Sequence, residues 1–217
     1  MRLNSFETTK KQKAGAFTLI EMIGVLAVIA ILAALLIPKV FSAINDARIN
    51  SALVGCETIK TALVDHYGKY GRFDATNGVA LTTFATAGNP YSGYDTNVLM
   101  IEGLIDKPFT TKVGTNSTIQ VVTCAASGAA VLGTGNGAFN LSGNGGGNEA
   151  TGQYVVQAVI FAMAEADAQA ISQRIDGLTM STAGVTPGTA DVQGRVTYAQ
   201  PSQPGNPVNV YIYLAHR

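Results

Sequence analysis

The chain has 217 residues, 14 Lys+Arg against 14 Asp+Glu, and only 13% charged side chains, with 24 glycines. No clustered basic face is available for nucleic acid, and the composition suits a neutral exported surface rich in turns. Past residue 16 the balance becomes ten basic against thirteen acidic residues, a net charge of −3, on a length that suits one soluble domain after a stalk.

Residues 1–16 carry Arg2, Lys10, Lys11 and Lys13 and show no apolar period, which predicts an unfolded cytoplasmic leader. From Phe17 to Ile37 the only charged side chain is Glu21. An apolar helix of about 20 residues covers a hydrocarbon layer of roughly 30 Å, so residues 17–37 are predicted to cross the inner membrane, with everything after them outside. Glu21 is the rare feature, since a carboxylate at the centre of a membrane helix costs about 3 kcal/mol on insertion scales. The segment offers no partner for it. Gly24, Ala27, Ala30 and Ala34 recur at steps of three and four, which permits close approach of neighbouring helices.

Pro38 lacks a backbone donor and predicts a kink or a locally melted stretch, not the end of the helix. After it, Phe41, Ile44, Ile49, Ala52, Leu53, Cys56, Ile59, Leu63 and Tyr67 recur mostly at helical spacing, an amphipathic continuation over 38–67 that Gly68 and Gly71 end. A helix of about 50 residues would be about 75 Å long.

The run Ala16-Phe17-Thr18-Leu19-Ile20-Glu21 after a basic leader resembles the signal of type IV pilins and type II secretion pseudopilins. The resemblance implies a prepilin peptidase on the cytoplasmic face that cuts between Ala16 and Phe17 and methylates the new Phe17 amine. Glu21 is then the fifth mature residue and Pro38 the twenty-second, as in that family. The family usually has Gly immediately before the cut, whereas here Gly15 stands one place earlier; a cut after Gly15 would make Glu21 the sixth residue. The Ala16 site keeps the offset between amine and acid. The resemblance further implies that Glu21 sets assembly register by meeting the Phe17 amine of a neighbouring subunit. Its implied partners are other pilin or pseudopilin subunits, an inner-membrane assembly platform and that platform's cytoplasmic ATPase. Residues 67–73 are also similar to the passage by which many pseudopilins leave the long helix.

Residues 68–217 read as a periplasmic pilin-like domain. Residues 74–112 are loop-rich, interrupted at 96–104 by a short helix with Asp95 or Thr96 as its cap. Residues 117–125 predict a strand, and the Gly-rich stretch 127–152 predicts a flexible surface excursion. Its Gly133-Thr134-Gly135-Asn136-Gly137 is not a phosphate loop, because no Lys-Ser/Thr follows. A buried strand follows at 154–163, then a helix at 164–175 stopped by Gly177, then a hairpin of 194–198 with 208–214. The predicted fold class is α+β and pilin-like: a long kinked N-terminal helix packed on a mostly antiparallel sheet.

No catalytic constellation can be assembled, so no enzyme is expected. His66 and His216 read as solvated, and Glu165 and Asp167 lie two apart on a helix, which does not place them side by side. No cofactor or metal site is expected; the acids that calcium would draw on, Glu149, Asp176 and Asp191, have no recognisable ligand spacing. Cys56 on the helix stripe and Cys124 on a strand can form a disulfide outside the cytoplasm or stand as two buried thiols. The function this implies is a structural subunit of a type IV pilus or a type II secretion pseudopilus. The competing reading is an ordinary secreted or membrane-anchored periplasmic binding domain with a conventional signal peptide, the cut falling after Ser42 or Ala43 in the secreted case.

Overall fold

The computed structural model describes residues 17–85, 89–124, 133–142, 153–178, 180 and 188–217. The chain divides into two compact units, Met1–Ile44 and Asn45–Arg217.

Helix α1 (Leu19–Tyr70) begins in the first unit. Leu, Ile, Val and Ala dominate its sequence up to Ile44, and nearly all these side chains are exposed. Pro38 lies inside it, and its ring removes the N–H that would reach the Ala34 carbonyl. One lost bond among many does not interrupt the helix, and no melted stretch occurs at Pro38.

In the second unit the amphipathic pattern decides what α1 buries. Ile49, Ala52, Cys56, Ile59, Leu63 and His66 recur every three or four residues and form one buried stripe. Gly68 lies within the helix; the stop comes at Gly71, whose φ of +69° suits glycine and whose N–H donates to the Tyr67 carbonyl at 2.7 Å. Two short strands follow, β1 (Ala75–Thr76) and β2 (Val79–Ala80), joined by Asn77 and Gly78 at φ +50° and +78°. This is the Asn-Gly hairpin turn that the right-handed twist of strands favours.

A five-stranded antiparallel sheet comprises β3 (Tyr91–Ser92), β4 (Asn116–Thr123), β5 (Tyr154–Met163), β6 (Val196–Thr197) and β7 (Val208–His216), in the order β3-β4-β5-β7-β6. Helix α2 (Glu165–Asp176) connects β5 to the segment before β6 and is closed by Gly177. The register of β5 on β7 shifts between Ile160 and Met163, and the Asn209 side chain accepts the Ala162 N–H at 3.0 Å beside the irregularity.

Side-chain alternation gives the sheet two different faces. Ile119, Val121, Val156, Ala158, Ile160, Val210, Ile212 and Leu214 join the cluster that contains α1 and α2. Val122, Cys124 and Val155 point the other way and meet Phe139 and Leu141. The stretch 133–142 is therefore a packed cover of the second face and not a flexible excursion: Gly133 and residues 137–140 are buried. Glycine serves close approach here. A Cβ on Gly135 would lie 2.3 Å from the Tyr211 ring, and one on Gly137 2.5 Å from Val122. The remaining parts of the predicted excursion, 127–132 and 143–152, lie outside the described residues.

The predicted helix at 96–104 is a short π-helical turn, Asp95–Leu99, followed by further turns. Neither proposed cap acts as one. Asp95 is buried and its Oδ2 accepts the Phe109 N–H at 2.7 Å, while Thr96 donates to the Gly93 carbonyl at 2.9 Å. A buried carboxylate is satisfied by the loop that crosses it, which local sequence cannot announce.

Candidate functional site

The N-terminal end of α1 holds the residues singled out by sequence. Thr18 stands immediately before the first helical residue, in the N-cap position. The Thr18 N–H donates to Glu21 Oε2 at 2.8 Å, its hydroxyl donates to the same oxygen at 2.6 Å, and the Glu21 N–H reaches Thr18 Oγ1 at 3.3 Å. This reciprocal arrangement is a capping box, in which an N-cap Thr and a Glu three residues later satisfy each other's donors. The expectation that the segment holds no partner for Glu21 is thus corrected: its own chain supplies one, and Thr-x-x-Glu was its legible signal. Among the described residues Glu21 Oε1 accepts no hydrogen bond.

Phe17 is exposed at 82%, and Ala16 lies outside the described residues. The small-residue row Gly24, Ala27, Ala30 and Ala34 is exposed, and a Cβ on Gly24 would meet nothing within 4 Å. By length and composition α1 is apolar enough to cross a membrane.

The second unit gathers ionisable groups differently from the sequence reading. His66 is fully buried, not solvated. Its Nδ1 lies 2.6 Å from Glu102 Oε2 and its Nε2 2.9 Å from the Arg72 carbonyl, while the Tyr70, Phe73 and Tyr94 rings surround the imidazole. His216 is exposed beside the Tyr213 hydroxyl.

Glu165 and Asp167 face apart on α2. Asp167 accepts from the Asn45 amide at 2.6 Å, next to Arg174, which donates to Asn50 and Asp46 of α1. Glu165 turns inward and accepts the backbone N–H groups of Gly188 and, at 2.8 Å, Gly205; these two donors hold its carboxyl below the usual range.

Asp176 accepts the Arg195 and Val196 N–H groups, both at 2.9 Å, although burial raises its pKa. Asp191 accepts from the Ser172 hydroxyl at 2.5 Å. These acids pin the 188–205 segment to α2. Glu149, the remaining acid considered for calcium, lies outside the described residues, among which no three His, Cys, Asp or Glu groups converge as metal ligands.

Cys56 and Cys124 are not joined to each other. Cys56 lies in the cluster under α1, and Cys124 on the opposite face donates from Sγ to the Gly137 carbonyl at 3.2 Å. Burial, with Glu57 nearby, pushes the Cys56 thiol up to about 12. The sheet that separates the clusters prevents the pairing that sequence left open.

A long N-terminal helix whose second half packs on an antiparallel sheet is an α+β pilin-like architecture. Residues 11–37 match the prokaryotic N-terminal methylation motif, the signal of type IV pilins and pseudopilins. No curated protein and no solved structure matches the chain.

Proposed function

We propose that the chain is the precursor of a filament subunit of a type IV pilus or a type II secretion pseudopilus. The observation that carries this reading is the methylation motif placed on an exposed apolar stretch, residues 17–37, whose only acid, Glu21, sits in a capping box. In this reading residues 1–16 form a cytoplasmic leader, and a prepilin peptidase cuts between Ala16 and Phe17 and methylates the Phe17 amine. The subunit waits in the inner membrane with residues 68–217 in the periplasm. An assembly platform driven by its ATPase then passes it into a filament of identical or related subunits. Apolar side chains move from lipid into a helix bundle without meeting water.

Glu21 sets register. Thr18 binds Oε2, so Oε1 is open to the Phe17 amine of a neighbour without loss of the cap. A misregistered subunit leaves a buried charge uncompensated, at a cost of about 3–5 kcal/mol. Stacking by a heterologous contact gives an open helical fibre. The unbroken run of α1 through Ser42 and Ala43 argues against a signal-peptide cut there.

The test is mass analysis of the mature N-terminus together with the Glu21→Ala variant. N-methylated Phe17, with a variant that is inserted and processed but enters filaments poorly, supports the proposal. A mature start near residue 43 or 44, or normal incorporation of Glu21→Ala, overturns it.

A further inference from the structure

The His66–Glu102 pair joins four pieces of backbone that meet at the end of α1. His66 is on the helix itself; its Nε2 bonds the Arg72 carbonyl of the exit segment at 2.9 Å and its Nδ1 meets Glu102 Oε2 at 2.6 Å, beyond the π-helical turn. The other carboxylate oxygen, Glu102 Oε1, accepts the Asn77 N–H of the β1–β2 turn at 2.8 Å. Both side chains are wholly excluded from solvent.

Donor and acceptor chemistry fixes the proton count. A carbonyl oxygen only accepts, so Nε2 carries a hydrogen. Glu102 Oε1 accepts an N–H, so it carries none. The short contact between Nδ1 and Oε2 then holds one proton. With that proton removed, a lone pair faces a carboxylate in a site excluded from solvent. With a second proton added, N–H faces O–H and the contact is lost.

The other charged or titratable groups around the pair do not replace that proton. Lys69 lies over the Tyr70 ring, Arg72 is paired with Asp74 at 2.5 Å, and the Tyr94 hydroxyl donates to the Phe73 carbonyl at 2.9 Å. The Tyr91 ring is tilted against Phe84 and meets Tyr94 edge-on.

We propose that His66 and Glu102 form a one-proton latch that fastens the helix exit, the β1–β2 hairpin and the turn after Leu99 to α1, and that opens when pH takes the pair to either side of that single proton. The opening is local, because the sheet and α2 use none of these bonds.

Glu102→Gln provides the decisive variant. Its amide donates to the bare Nδ1 of a neutral imidazole and its carbonyl still accepts the Asn77 N–H, so every bond of the latch is remade without the shared proton. The experiment is hydrogen exchange of the full chain in detergent across pH, read as protection factors for residues 72–80 and compared with those of β5.

In the wild type, protection at 72–80 should be greatest at intermediate pH and fall on both sides by roughly a hundredfold, near the lower end of what loss of one partner of a buried pair costs. Protection of β5 should hold. Glu102→Gln should keep the acid limb and lose the alkaline one, and Glu102→Ala should remove protection of 72–80 at every pH. Flat protection across pH in the wild type overturns the latch, as does an alkaline limb that persists in Glu102→Gln, or loss of β5 protection in step with 72–80.

Discussion

Gly133→Ala is expected to destabilise the second unit through a clash with backbone, which cannot rotate away as a side chain can. Gly133 has φ +76°, and a Cβ there would lie 2.7 Å from the Tyr198 carbonyl carbon and 2.8 Å from both its oxygen and the Ala199 nitrogen. The left-handed backbone costs a non-glycine residue about 1–2 kcal/mol, and overpacking against a fixed neighbour adds about 1–3 kcal/mol. The sum is about 2–5 kcal/mol. Gly103 separates the two terms: it has φ +70° and nothing within 4 Å of an added Cβ, so Gly103→Ala should cost only the backbone term. Denaturant unfolding of the full chain in detergent, with midpoints compared at equal slope, measures the difference. Equal midpoints for the two variants would refute the packed placement of Gly133 against the Tyr198–Ala199 backbone.

Glu165 is held below its ordinary pKa by two backbone donors, so its stabilisation is complete above about pH 4.5 and is lost as pH falls below that value toward the folded pKa. Glu165→Gln should therefore be less stable than the wild type at neutral pH and converge with it in acid; a gap that stays constant down to pH ~3 would contradict this. The opposite sign holds for Cys56. Its thiol rises from 9.0 to about 12 in the fold, so stability should decline as pH climbs above 9.0. At about pH 8.5 Cys56 should react with iodoacetamide only as fast as the fold opens, and labelling of the native protein at a free-thiol rate would disprove its burial.

Where the signal is periodic and local, sequence and structure agree. The helical stripe from Ile49 to Leu63 needs only a count of three and four, and β5 is a β-branched run that ends at Met163. The boundaries of α2 move by one residue, from 164–175 to Glu165–Asp176, and Gly177 ends it. What sequence hid depends on partners distant along the chain. His66 looked solvated because nothing near it in sequence announces Glu102, 36 residues on. The 133–142 stretch looked loose because glycine suggests freedom, whereas here its missing Cβ admits Tyr211 and Val122. Two features were legible and overlooked: Thr18-x-x-Glu21 as a capping box and Asn77-Gly78 as a hairpin turn.

The two faces of the sheet act as a partition between two independent compartments. Side chains at 119, 121, 156, 158, 160, 210, 212 and 214 belong to the room that α1 and α2 occupy, and those at 122, 124 and 155 to the room behind it. Among the described residues the two clusters have no buried side chain in common. Substitutions at Phe139 or Leu141 can therefore alter the rear wall while the surface that receives α1 keeps its shape.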